Sequence, residues 1–142
     1  MPADLDMAMN APAHALPRPY RVLVADPHAA AREAIGMVLF GDRGFELAGS
    51  AATIEETIRL IRERRPDVLV VDPWLFGAAG LPGCLAAKQL NPNLVIIALL
   101  PNDRGDDYSR AAQAMGADGV VPKKRVGKDL IAAIHAALDR PS

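Results

Sequence analysis

From Tyr20 onward, short apolar runs alternate with stretches in which apolar residues recur at helical spacing, and this alternation constrains the fold more than any other feature. Five runs have strand length: Arg21 to Ala25 (β1), Phe45 to Gly49 (β2), Val68 to Val71 (β3), Leu94 to Leu99 (β4) and Gly119 to Val121 (β5). Three of them are almost wholly apolar, which requires burial on both sheet faces. Between the runs, single apolar stripes at helical period predict α1 (Ala31, Ile35, Val38, Leu39), α2 (Ile54, Ile58, Ile61), α4 (Tyr108, Ala111, Ala112, Met115) and α5 (Leu130, Ile134, Leu138). A weaker pattern over about Gly83 to Leu90 predicts α3, with Leu81 and Leu85 spaced to face the core. Thr53 is placed to cap the amide of Glu56 while Glu56 reaches back, which starts α2, and Pro66 stops it.

Strand and helix thus alternate through five βα units, the pattern of an α/β chain with an open, doubly wound parallel sheet. In such sheets, sites gather at the carboxyl ends of the strands. Those ends carry Asp26, Pro27 and His28 after β1, Asp72 after β3, Pro101 to Asp103 after β4, and Lys123 with Lys124 after β5.

Composition narrows the partners. A chain of 142 residues, 51% of them hydrophobic, is the size of one domain with a core of its own. Its 16 basic and 17 acidic residues leave a net charge of -1, so no overall field draws this chain by itself to nucleic acid or to an anionic membrane. Cys84 is the only cysteine, which rules out an intrachain disulfide or a thiolate metal cluster and suits the cytoplasm. No apolar run approaches the roughly 20 residues that span a bilayer. Residues 1–19, rich in Ala, Met and Pro, read as a disordered N-terminal extension ahead of a domain at 20–139.

Three segments carry a resemblance. VLVADPHAAARE is similar to the first strand and acidic turn of response-regulator receiver domains, RRPDVLVVDPWLFGAAG to their phospho-acceptor segment, and GADGVVPK to the run that ends on their essential lysine. Gly80, eight residues past Asp72, matches as well. The likeness covers about Arg21 to Leu138 and is strongest to receivers that precede a helix-turn-helix domain, as in LuxR/NarL-type regulators. It implies the CheY-like, flavodoxin-like topology with strand order 2-1-3-4-5. It implies Asp72 as phospho-acceptor and Lys123 as the phosphate-interacting cation. Mg²⁺ would be held by Asp26, Asp72 and the main-chain carbonyl of Trp74. The implied partners are a histidine kinase or phosphotransfer protein, and a second copy docked through the α4-β5-α5 face.

The chemistry independently asks for these residue types. A carboxylate attacking a phosphoryl group is an anion approaching an anion, so a divalent cation and a lysine are needed to offset the repulsion. Mg²⁺ in turn wants hard oxygen ligands, from one or two carboxylates with water completing the shell.

Set against the receiver pattern, the chain departs at three positions. The second acid after β1, a direct metal ligand, is Pro27, which has neither a side-chain oxygen nor an N–H, so Mg²⁺ binding should be weak. The hydroxyl residue that closes β4 and reports the phosphoryl group falls on Leu100 or Pro101, and no Ser or Thr lies between Thr57 and Ser109 to replace it. The responsive aromatic of β5 is Val120. A pseudo-receiver that never takes phosphate and works as a dimerisation or docking module is the alternative these departures raise.

Other classes fit less well. Asp26 to Ala31 nearly reads D-x-H-x-x-G, a cobalamin-binding loop, but lacks its last glycine and the later segments of that family. No G-x-G-x-x-G, G-x-x-x-x-G-K-[ST] or G-x-S-x-G motif is present, so the chain does not read as an enzyme. Trp74, Leu75 and Phe76 form an apolar trio beside Asp72, either a partner patch or a lid folded back over the acceptor.

Overall fold

A computed structural model describes residues 18–79, 82–100, 110, 112–114 and 116–139. The expectations for residues 1–17 and for Gly80, Leu81, Pro101 to Asp103, Tyr108, Ala111 and Met115 fall outside them.

Five strands, β1 (Tyr20–Ala25), β2 (Phe45–Ala51), β3 (Val68–Val71), β4 (Val95–Leu100) and β5 (Gly119–Pro122), form one all-parallel sheet in the order β2-β1-β3-β4-β5. Alternation along each strand divides the core. Val22 and Val24 face the helices α1 (Ala29–Phe40) and α5 (Val126–Leu138), where Ile35, Leu39, Leu130 and Ile134 cover them. Leu23 and Ala25 face the other way, under α2 (Ile54–Arg64) and α3 (Pro82–Leu90), with Leu60, Ile61, Cys84 and Ala87. Every side chain of β3 is fully buried, which is why VLVV has no polar alternation. Between β4 and β5, residues 110 and 112–114 are helical, within the span expected for α4, and Ala112 is packed in the α2-α3 layer.

Two helix ends follow their local chemistry. Thr53 Oγ1 accepts the amide of Glu56 at 3.1 Å, and the Glu56 carboxylate accepts the amide of Ala52 at 2.8 Å, one residue ahead of the N-cap. Those backbone bonds hold the Glu56 carboxyl below its ordinary range. Ahead of Pro66, Arg65 closes α2 in the left-handed conformation with φ 44°.

Two faces differ from expectation. On α3, Leu85 is exposed and the core contacts are made by Cys84 and Ala87, because only small residues let this helix lie close to the sheet. The approach is tightest at Gly83, where a Cβ would stand 2.2 Å from the Phe76 ring. On α2 the fully buried positions are Thr57, Leu60 and Ile61, while Ile54 and Ile58 lie half-exposed. The Thr57 hydroxyl is satisfied inside its own helix by the Thr53 carbonyl at 2.8 Å.

Candidate functional site

Strand register assembles the site. Ala25 of β1 is level with Val71 of β3, so the next residues, Asp26 and Asp72, leave the sheet side by side. The Asp72 amide donates to the Ala25 carbonyl at 3.0 Å, and the Asp26 amide to the Ala51 carbonyl at 3.0 Å. On the far side, β4 and β5 run further: Leu100 pairs with Pro122, and Lys123 follows immediately as the first residue of a short turn over Lys123–Arg125. Its ammonium reaches back to 2.9 Å from Asp26 Oδ2 and 2.7 Å from Asp72 Oδ2.

Each carboxylate is held by its second oxygen. Asp72 Oδ1 accepts the Trp74 amide at 2.9 Å, while Leu75 donates to the Asp72 carbonyl at 2.8 Å. Asp26 Oδ1 accepts the His28 amide at 2.8 Å, and the ring Nδ1 of His28 lies 3.1 Å from the same oxygen. Arg32, one turn into α1, donates to the Asp26 carbonyl at 2.7 Å. Asp26 is completely buried, and its Oδ2 has no well-directed hydrogen bond, only the nearby lysine. A buried carboxylate oxygen without a directed donor suits a cation, for which distance matters more than angle. Burial opposes the charge on Lys123, but the paired Asp72 and Asp26 carboxylates prevail and raise its pKa.

Pro27 is exposed and brings no oxygen, and the end of β4 at Leu100 is buried hydrocarbon. Val120 pairs with Ala98 and packs partly buried against the α2-α3 layer. Lys124 and Arg125 face solvent, Arg125 in an ion pair with Asp129 at 2.6 Å. The apolar trio divides: Phe76 is buried, Leu75 packs against the same cluster, and Trp74 stands 77% exposed, two residues past Asp72. Leu75 and Phe76 therefore anchor the loop in the core.

His28 is the member that motif reading did not place at the site. One carboxylate oxygen of Asp26 and one of Asp72 lie with a His28 ring nitrogen all within 4.8 Å of one another. The sequence signal was the Asp-x-His spacing, in which an aspartate accepts the amide two residues on and brings that residue's side chain beside it. His135 instead packs on Phe45, ring centroids 5.1 Å apart.

Residues 22–135 match the model of the response regulator receiver domain, and the chain belongs to that family. It is 30% identical over 115 residues to the response regulator GacA of Pseudomonas viridiflava, a match over 81% of this chain and 53% of GacA. Over 110 residues it is 33% identical to a protein-glutamate methylesterase/protein-glutamine glutaminase of Anaeromyxobacter dehalogenans, covering 78% of this chain and 30% of that protein. The chain thus spans about half, or less, of the length of these relatives. A LuxR-family two-component response regulator from Aurantimonas has a similar solved structure, with TM-score 0.75 and 28% identity over 84% of this chain and 85% of that one. The sheet order is that of CheY-like receivers, including the receiver domain of Thermotoga maritima CheB, with TM-score 0.74 and 20% identity over 88% of this chain and 100% of that one. The chain is a receiver domain of two-component signalling. Among the described residues, no helix is long and apolar enough to cross a membrane.

Proposed function

We propose that Asp72 is the phospho-acceptor of this receiver. The observation that carries the reading is the Lys123 ammonium, 2.7 Å from Asp72 Oδ2 and 2.9 Å from Asp26 Oδ2. A carboxylate so paired remains an anion and a nucleophile, and the lysine offsets part of the repulsion as a phosphoryl group approaches. In the step, an Asp72 oxygen forms the O–P bond while the P–N bond of a donor phosphohistidine breaks, and the departing imidazole keeps the electron pair and takes a proton from solvent. The donor is a histidine kinase or a phosphotransfer protein. Trp74 and His28, both exposed, flank the approach to Asp72.

Asp26, Asp72 and the Trp74 carbonyl are the residues that would hold Mg²⁺. The ion would supply charge neutralisation at the incoming phosphoryl oxygens. With Pro27 in place of a second acid, binding is weak. The receiver occupies residues 20–139 behind an N-terminal extension, operates in the cytoplasm, and pairs with a second copy through the α4-β5-α5 face.

Intact mass after incubation with a small phosphodonor and Mg²⁺ tests the assignment. A single phosphoryl adduct on the unmodified chain, absent from Asp72→Asn and retained in Asp103→Asn and Asp106→Asn, is the expected result. Equal labelling of the Asp72→Asn protein refutes it.

A further inference from the structure

The geometry points to His28 Nδ1 as a metal ligand in the place that Pro27 leaves without an oxygen, making this a cation site for an imidazole-accepting divalent ion, Zn²⁺, ahead of Mg²⁺. The inference rests on reading Asp26 and Asp72 as a cation site and adds the ligand that selects the ion.

Four observations converge. Among the described residues, the group of His, Cys, Asp or Glu side chains arranged to hold a metal is Asp26, His28 and Asp72, with one ligand atom from each all within 4.8 Å of one another. Asp26 Oδ1 and His28 Nδ1 are 3.1 Å apart, close to the separation of about 3 Å expected between neighbouring ligands on bonds of about 2.1 Å. Asp26 is completely buried, with the Lys123 ammonium 2.9 Å from Oδ2 and Oδ1 turned to His28. Finally, the ring is already oriented: the His28 amide donates to Asp26 Oδ1 at 2.8 Å, which fixes the residue at the mouth of α1 with its imidazole against the carboxylate.

The ion preference follows from donor chemistry. Imidazole nitrogen suits Zn²⁺, whereas Mg²⁺ and Mn²⁺ favour oxygen and gain little from it. An acid after β1 would serve Mg²⁺ well, and an exposed histidine one residue further on cannot replace it for that ion. It can replace it for a borderline one. Exposure of the ring, 68% for the His28 side chain, leaves room for water to complete the shell.

Titration of the full chain with MgCl₂, MnCl₂ and ZnCl₂, followed by Trp74 fluorescence and calorimetry, tests this. The expected result is that His28→Ala and His28→Gln each weaken Zn²⁺ binding by about tenfold or more while changing Mg²⁺ and Mn²⁺ affinity much less. In the unmodified chain, Zn²⁺ should shift the His28 ring nitrogen resonances, assigned by their loss in His28→Ala. If the His28 variants alter no cation, or weaken all three equally, the imidazole only positions the loop and the inference fails. Asp26→Asn separates the two levels. Loss of all three cations in Asp26→Asn beside unchanged His28 variants keeps the cation site and overturns the histidine ligand. An Asp26→Asn protein that binds all three as before overturns both.

Discussion

Asp26 and Asp72, the residues that follow the level strand ends of β1 and β3, share one ammonium: Lys123 Nζ lies within 2.9 Å of an oxygen from each. Two adjacent carboxylates in a nearly dry position repel, and the lysine converts that repulsion into a closed three-member contact. Removing the cation leaves both acids uncompensated.

Lys123→Met should therefore destabilise the fold by about 1–3 kcal/mol near neutral pH, read by urea denaturation. The sign of the pH dependence is set by the raised pKa of Lys123, above its ordinary 10.5. Stability from the charged lysine is fully present below the unfolded pKa and is lost as pH rises through the folded one. The gap between the two proteins should then narrow above about pH 10.5. A gap that widens there contradicts the pairing.

Pro27→Asp should tighten Mg²⁺ binding by at least about tenfold. A carboxylate about 4 Å from a divalent ion is worth several kcal/mol at an effective dielectric near 20, and each ~1.4 kcal/mol is a factor of ten. Trp74 reports it, since its amide donates to Asp72 Oδ1 and its indole is exposed beside the site. Saturation of the unmodified chain at low Mg²⁺, with no change in Pro27→Asp, would show that Pro27 is not at the missing ligand position.

Gly83→Ala should cost about 1–3 kcal/mol, because the new methyl would meet the buried Phe76 ring at 2.2 Å. Phe76→Leu in the same chain should recover part of that loss, giving a non-additive double-mutant cycle in thermal unfolding. Strict additivity would mean that α3 does not rest on Phe76.

The Cys84 thiol, fully buried, has its pKa pushed up to about 11, first by burial and then by the nearby Asp118 carboxylate. Labelling with a thiol reagent at pH 8 should be slow in the folded chain and prompt in urea. The neutral thiol stabilises the fold below its unfolded pKa, and that contribution fades as pH rises toward 11. Rapid labelling of the folded chain would place Cys84 at the surface.

Phosphodonor treatment should leave the oligomeric state unchanged. Leu100 has no hydroxyl to hold a phosphoryl group, and Val120 has no ring to move, so a signal at Asp72 lacks those two links to the α4-β5-α5 face. Sedimentation that shows association only after phosphodonor treatment would demonstrate another route.

By itself the sequence determined the succession of elements and the residues at the strand ends, because both are written in short-range terms. Apolar runs of strand length and stripes of helical period mark the elements, and covalent adjacency puts Asp26, Asp72 and Lys123 immediately after β1, β3 and β5. The capping pair Thr53 and Glu56 is local in the same sense. Tertiary structure alone decided how the elements face one another. Strand register brought Lys123 onto both carboxylates, since no local pattern sets how far β5 runs past β3. Packing also set the rotation of α3, placing Cys84 and Ala87 inward and Leu85 outward, because a helix of small residues has little amphipathic preference and turns to whatever surface admits it. His28 depended on both: its spacing from Asp26 is local, but its nearness to Asp72 exists only because two strands end level.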